Sequence, residues 1–73
     1  MMGESGEIEV RLNGKPRRIA AGLTVGTLLD SLDLKRELVV VELNREILKR
    51  ERYGEVAVSA GDNVELVHFV GGG

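Results

Sequence analysis

The chain ends on three consecutive glycines that directly follow an alternating apolar segment. Gly71, Gly72 and Gly73 come after residues 64–70, which read Val-Glu-Leu-Val-His-Phe-Val. Because glycine has no Cβ, such an end can thread a narrow channel and present its terminal carboxylate in another protein's active site. We interpret the carboxylate of Gly73 as the reacting group. The alternative is a frayed end or the start of a linker, since termini and linkers are often rich in glycine.

Side chains with catalytic or metal-binding chemistry are scarce in the rest of the chain. There is no cysteine, which excludes disulfides, zinc–thiolate sites and thiol nucleophiles. The single histidine, His68, falls in a predicted strand, where a structural role is far more common than a catalytic one. Tyr53 and Phe69 are the only aromatic residues, so no stacking surface for single-stranded nucleic acid is expected. We expect no metal site and no bound cofactor, and we do not expect an enzyme.

Length and charge limit the size of the fold and the class of partner. A chain of 73 residues fits one small domain, with no room for a deep substrate pocket. A net charge of -2 favours neither nucleic acid nor a membrane surface. No apolar run approaches a membrane span, and the first residues lack the layout of a signal peptide. We predict a cytoplasmic protein with a disordered lead over residues 1–7, a domain over residues 8–70 and a flexible tail over residues 71–73.

The first half of the chain predicts a hairpin followed by a helix. Residues 8–12 alternate between apolar and charged side chains, which is typical of a strand with one buried face. Asn13-Gly14 favours a type I′ turn into a return strand over residues 15–20. Thr24 is expected to cap a helix that buries a leucine face and ends near Asp33.

The second half predicts further strands of the same sheet. Residues 38–43 form a β-branched run typical of a central strand, residues 46–48 and 55–59 are short extended pieces, and residues 64–70 form the last strand. The helix must bury its apolar face on one side of the sheet, with the first hairpin and the last strand side by side in the middle. We predict an α+β fold of the β-grasp, or ubiquitin-like, type, with a mixed sheet of about four to five strands packed against one main helix. The predicted core comprises Ile8, Val10, Leu12, Val25, Leu28, Leu29, Leu32, Val41, Leu43, Val64 and Leu66.

Alternation along the last strand separates its side chains onto two faces. Val64 and Leu66 are expected to point toward the helix, and Val67 and Phe69 are expected to point away from it. An exposed pair formed by Val67 and Phe69, close to the tail, is a candidate partner-binding surface. The alternative is that Phe69 folds against the sheet as ordinary apolar surface.

Several short motifs, taken in order, resemble the thiamine-pathway sulfur carrier family, ThiS, within the ubiquitin-like superfamily. The motifs are Asn13-Gly14, Ala-Ala-Gly-Leu-Thr-Val at residues 20–25, Leu28-Leu29, Leu43-Asn44, Ala-Gly-Asp at residues 60–62, and Gly72-Gly73. Lys49 departs from the family pattern because relatives often carry proline there, and Gly71 departs because other members carry a small residue. The molybdopterin-pathway sulfur carriers, MoaD, share the fold and the Gly-Gly end and stay open as an alternative.

The resemblance implies that partner proteins perform the chemistry at Gly73. An adenylating enzyme of the ubiquitin-activating type is expected to activate the carboxylate with ATP. A persulfide donor such as a cysteine desulfurase then supplies the sulfur, and the resulting thiocarboxylate is given up to a thiazole synthase. Two other classes of function stay open. One is a protein modifier joined through Gly73 to lysines of its targets, and the other is a non-reactive β-grasp interaction module.

Overall fold

A computed structural model describes residues 6–69, which form a five-stranded mixed sheet and one α-helix. The strands are β1 (Glu7–Leu12), β2 (Lys15–Ala20), β3 (Val39–Leu43), β4 (Glu46–Leu48) and β5 (Asn63–His68). Helix α1 spans Val25–Ser31, and two short 3₁₀ turns span Arg36–Leu38 and Arg50–Arg52. The strand order is β2-β1-β5-β3-β4, with β1 parallel to β5 and the other neighbours antiparallel. The predicted β-grasp arrangement is confirmed, while Val70, the predicted tail and residues 1–5 of the predicted lead lie outside the described residues. Glu7, which was predicted to belong to the lead, is the first residue of β1 and pairs with Ala20.

The β1–β2 hairpin has the turn that its sequence predicts. Asn13 and Gly14 have φ angles of 51° and 82°, the positive values that a type I′ turn needs at both central positions. Pro16 lies on β2 opposite Arg11. Because β2 is an edge strand, the missing N–H of proline interrupts no inner ladder.

Helix α1 begins at the predicted cap. The side chain of Thr24 accepts a hydrogen bond from the amide of Thr27 (3.1 Å), and Thr27 Oγ1 accepts one from the amide of Thr24 (2.8 Å). These reciprocal bonds form a capping box, with threonine in place of the usual glutamate or glutamine. The helix ends at Ser31, and Asp33 turns the chain away with a positive φ of 62°.

The helix packs its apolar face against one side of the sheet, and the predicted core is confirmed. Leu28 and Leu29 of α1 are fully buried. The other buried members of the prediction are Val10, Val25, Val41 and Val64, and the half-buried members packed against them are Ile8, Leu12, Leu32, Leu43 and Leu66. The core also includes Ile19, Val39, Tyr53 and Val58, which the sequence analysis did not include.

The short extended piece predicted over residues 55–59 does not join the sheet. This segment forms only an isolated bridge, between Thr24 and Ala57. Its backbone pairs with the loop that leads into α1: Val25 donates to the carbonyl of Val56, and Val58 donates to the carbonyl of Leu23, both at 2.9 Å. Val58 is buried, as an alternating extended segment would place it. The backbone of the segment, however, bonds to a loop and not to the sheet.

Candidate functional site

The sheet face opposite α1 carries apolar side chains at the end of β5 that leads to the tail. The residues on this end are Val67 and Phe69, which are 54% and 55% exposed. Val67 lies directly opposite Val40 of β3, which is half-buried and outside the core cluster. We call Val40, Val67 and Phe69 the apolar patch. The outward phase expected for Val67 and Phe69 is what the structure shows, and a role in partner binding stays a prediction.

Alternation on two paired strands produces this patch. Val41 pairs with Leu66 and Val39 pairs with His68, so these positions share the face toward α1. The positions between them, Val40 and Val67, must point to the other face. Val40 was missed in the sequence analysis because it sits in a continuous valine run, where no polar neighbour marks the outward positions.

The departure point of the tail is held by backbone contacts to the start of β3. The amide of Phe69 donates to the carbonyl of Leu38 at 2.7 Å, one step beyond the last residue of β5. The neighbouring carbonyl of Val39 accepts a hydrogen bond from the buried Tyr53 hydroxyl at 2.9 Å. Arg50 Nε donates to the carbonyl of Arg36 at 3.1 Å. Side chains from the second 3₁₀ turn and its cap therefore hold residues 36–39, and this segment in turn accepts the hydrogen bond from Phe69.

The same segment is joined to α1 through Arg36. Its guanidinium forms an ion pair with Asp30, with Nη2 2.9 Å from Oδ2. This hydrogen bond with Asp30 raises the pKa of the Arg36 guanidinium. A Cβ placed on Gly26 of α1 would lie 2.6 Å from Arg36 Cζ, which is closer than real side-chain contacts come. Glycine at position 26 therefore makes room for Arg36, a reason that the sequence analysis did not find.

Other features of the described chain carry no catalytic constellation. His68, the single histidine, is exposed at the end of β5. Within residues 6–69, no group of three or more His, Cys, Asp or Glu side chains could hold a metal ion. Over the same residues, no helix combines the length and the apolar character needed to cross a membrane. A cavity of about 470 Å³ runs along β4, and its lining includes neither Val67 nor Phe69.

Comparison with known proteins identifies a family. The family model described as "ThiS family" matches residues 10–73, so the match includes the glycines that lie outside the described structure. The sulfur carrier protein ThiS of Bacillus subtilis is 45% identical over 65 residues, covering 88% of this chain and 98% of that protein. A crystal structure of the thiamine biosynthesis protein ThiS from Geobacter metallireducens superimposes with a TM-score of 0.77 at 42% identity, covering 90% of this chain and all of that one.

Some relatives are much longer proteins. A thiazole synthase of Magnetococcus marinus is 41% identical over 66 residues, which cover 90% of this chain but 20% of that protein. A thiazole synthase of Paramagnetospirillum magneticum is 44% identical over 62 residues, 19% of its length. The chain therefore spans about a fifth of the length of the thiazole synthases that it matches.

Proposed function

The chain belongs to the ThiS family, and we propose that it is a sulfur carrier in thiamine biosynthesis whose Gly73 carboxylate becomes a thiocarboxylate. The observation that carries the proposal is the family match, which continues through Gly73. The similarity to the Bacillus subtilis carrier over nearly that protein's whole length supports it. The exposed apolar patch at the approach to the tail gives a surface through which partners could dock.

The chemistry proposed for Gly73 takes place in three steps: adenylation, attack by a persulfide and reduction by a thiol. A carboxylate is a poor acyl electrophile because its leaving group would be an oxide. Attack of a carboxylate oxygen on the α-phosphorus of ATP releases pyrophosphate and gives an acyl adenylate, whose leaving group is AMP. The terminal sulfur of a partner's persulfide then attacks the carbonyl carbon and displaces AMP, forming an acyl disulfide. A thiol reduces the S–S bond, which leaves the thiocarboxylate on Gly73 and a disulfide on the thiol side.

In this proposal the reacting groups apart from the carboxylate belong to partners. The adenylating enzyme of the ubiquitin-activating type binds and uses ATP, so the carrier itself holds no cofactor. A cysteine desulfurase or a similar protein supplies the persulfide. The carrier is consumed and regenerated as a co-substrate in the cytosol, and it is not a catalyst. This division of labour accounts for a chain that contains neither cysteine nor an acid–base constellation in its described part.

The proposed acceptor of the sulfur is a thiazole synthase. Thiazole synthases of Magnetococcus marinus and Paramagnetospirillum magneticum each contain a segment similar to this chain. Joining two activities in one polypeptide raises their effective concentration for each other, which is useful when one hands a group to the other. The separate chain is then proposed to reach the same kind of enzyme by docking, with the apolar patch as the shared contact surface.

The test uses the full chain with a purified adenylating enzyme from the same organism. Intact mass spectrometry first establishes the terminal residue of the protein isolated from its own cells. ATP–pyrophosphate exchange then compares the full chain with a chain that lacks Gly73. Deleting Gly73 moves the carboxylate by about 3.3–3.6 Å, and a displacement of even about 1 Å can cost a hundredfold in rate. We expect exchange only with the full chain, and an oxygen-to-sulfur mass change after addition of a persulfide donor.

Two results would contradict the proposal. If the chain lacking Gly73 supported exchange at the full rate, its terminal carboxylate would not be the reacting group. If the full chain formed lysine conjugates in lysate and never showed the oxygen-to-sulfur change, it would be a protein modifier.

A further inference from the structure

Two glutamates face each other across the middle of the sheet, on the side opposite α1. Glu42 of β3 is paired with Glu65 of β5, and both side chains are exposed. Side chains at directly opposed positions have Cβ atoms about 4.5–5.5 Å apart, and like charges at such positions are destabilising. The free protein therefore carries an electrostatic cost at one defined place on this face.

Neither glutamate forms an ion pair within the described residues. The ion pairs within residues 6–69 join Arg18 with Glu7, Arg36 with Asp30, and Arg52 with Glu55. Arg11 of β1 points to the same side of the sheet, but its Nη2 donates to the carbonyl of Gly14 at 3.4 Å. Fewer than three potential metal ligands meet at the pair, so a divalent cation has no adequate site there.

The glutamate pair adjoins the apolar patch. Val40 and Val67 form the next outward pair toward the tail, two residues along each strand. Two residues of strand span about 6.6 Å, so the two outward pairs are close neighbours on this face. A partner that covers Val40 and Val67 must therefore also cover, or closely border, Glu42 and Glu65. Removing these carboxylates from water without a counter-charge would be costly, so a matching cation is needed on the partner.

We propose that the adenylating partner presents an arginine that bridges Glu42 and Glu65, beside an apolar group that covers Val40 and Val67. This inference rests on the proposed function and specifies the chemistry of its docking surface. A guanidinium suits the position because its planar fork of donors can bond two carboxylates at once, which a lysine ammonium does less well. The same pair acts against self-association, since two copies meeting through this face would bring four carboxylates together.

The test neutralises each glutamate without changing its shape. Glu42→Gln, Glu65→Gln and the double variant are compared with Glu51→Gln, which makes the same charge change at an exposed position on the second 3₁₀ turn. Association with the purified adenylating enzyme and dissociation from it are measured by stopped flow at low and high salt. We expect the first two variants to associate more slowly at low salt and to dissociate about tenfold faster, because losing one partner of a covered charge pair acts mainly on dissociation. The double variant should lose more than either single one, because only the double change leaves the arginine without a carboxylate.

The stability of the free carrier gives an independent readout. If the glutamates were only structural, neutralising them would not have opposite effects on stability and on docking. Removing one charge of the pair should raise the urea midpoint of the free carrier while it slows docking, so the two effects have opposite signs. Variants that associate and dissociate at the rates of Glu51→Gln would overturn the inference. ATP–pyrophosphate exchange, measured at a saturating concentration of the carrier, tests the proposed function separately from the arginine contact. Failure of the wild-type chain to be adenylated would count against the function, whereas normal adenylation with unchanged association and dissociation would count against the arginine contact alone.

Discussion

The amide of Phe69 donates a 2.7 Å hydrogen bond to the carbonyl of Leu38, which extends the β5–β3 ladder one step past the end of β5. Phe69 is thus both a member of the apolar patch and the last residue that the structure describes before the glycine-rich end. This hydrogen bond ties the backbone of Phe69, from which the exposed ring projects, to the start of β3. The proposed docking surface and the proposed reacting end are therefore close in sequence, because Gly73 follows Phe69 by four residues.

The first prediction concerns this patch. Val67→Asp and Phe69→Asp should leave the fold intact, because both side chains are more than half exposed. Each should weaken binding to the adenylating partner by about 2 kcal/mol or more, since an unpaired carboxylate is then buried in the interface. Titration calorimetry measures the affinity, and Ala60→Asp is the control because it adds the same charge at an exposed position before the opposite end of β5. Wild-type affinity in both patch variants would place the docking surface elsewhere.

The second prediction concerns the core. Leu28→Ala should destabilise the protein by about 2–5 kcal/mol, because Leu28 is fully buried on α1 and its loss leaves a cavity. Leu66→Ala should cost less, toward the lower end of about 2–5 kcal/mol, because Leu66 is half-buried on β5. Ile47→Ala is the matched control at 71% exposure and should change stability by less than about 0.5 kcal/mol. Urea unfolding measures all three, and an unchanged midpoint for Leu28→Ala would refute the core assignment.

Local signals in the sequence were sufficient to predict the turn and the helix cap, whose hydrogen bonds join residues that are close in the sequence. Asn13-Gly14 predicted the hairpin and Thr24 predicted the start of α1, since both depend on residues within three or four positions. The side chain of Asn13 also accepts a hydrogen bond from the amide of Leu66 at 2.7 Å, across 53 positions of sequence. No local pattern marks such a contact, so this second role of Asn13 could not be predicted.

The errors share the same physical origin. Tyr53 was not included in the predicted core, yet the residue is 2% exposed and its hydroxyl donates to the carbonyl of Val39. Residues 55–59 were predicted only as a short extended piece, and their pairing with the loop before α1 was not foreseen. For the site, period-2 alternation was enough to place Val67 and Phe69, whereas Glu42 opposite Glu65 follows from strand register, which only the assembled sheet determines.

The third prediction concerns the contact between α1 and the start of β3. Replacing a helical glycine by alanine usually stabilises a helix, by about 0.5–1 kcal/mol. Gly26→Ala should give less than this gain, because the new Cβ would lie 2.6 Å from Arg36 Cζ, so the guanidinium must shift and weaken its ion pair with Asp30. Gly54→Ala is the control, since the nearest atom, Arg36 Nη1, is 3.9 Å from its added Cβ. In urea unfolding, the double variant Gly26→Ala/Arg36→Ala should recover stability relative to the sum of the single changes. Simple additivity would show that Arg36 is not the obstructing group.

The fourth prediction tests the hydrogen bond that fixes the start of β3 from inside the core. Tyr53→Phe removes only the hydroxyl that donates to the carbonyl of Val39 at 2.9 Å. The variant should lose about 1–3 kcal/mol, because a buried acceptor is left without its partner while the ring still fills its site. Amide hydrogen exchange of Phe69 should become faster than in the wild type, since its acceptor, Leu38, precedes the loosened residue. Unchanged exchange at Phe69 together with lowered stability would show that Tyr53 supports the core without holding the end of β5.

The last prediction returns to the glycines at the end of the chain. Gly72→Val should bind the adenylating enzyme through the apolar patch nearly as well as the wild type, because the substitution lies outside that surface. It should nevertheless fail in ATP–pyrophosphate exchange, since a branched Cβ cannot follow the path that a chain without side chains can take. Gly72→Ala is the graded control and should retain part of the activity, because it adds a single methyl group. Binding is measured by calorimetry and turnover by exchange, which separates docking from reaction. If Gly72→Val were adenylated at the wild-type rate, the tail would not enter a channel shaped for glycine, and its composition would need another cause.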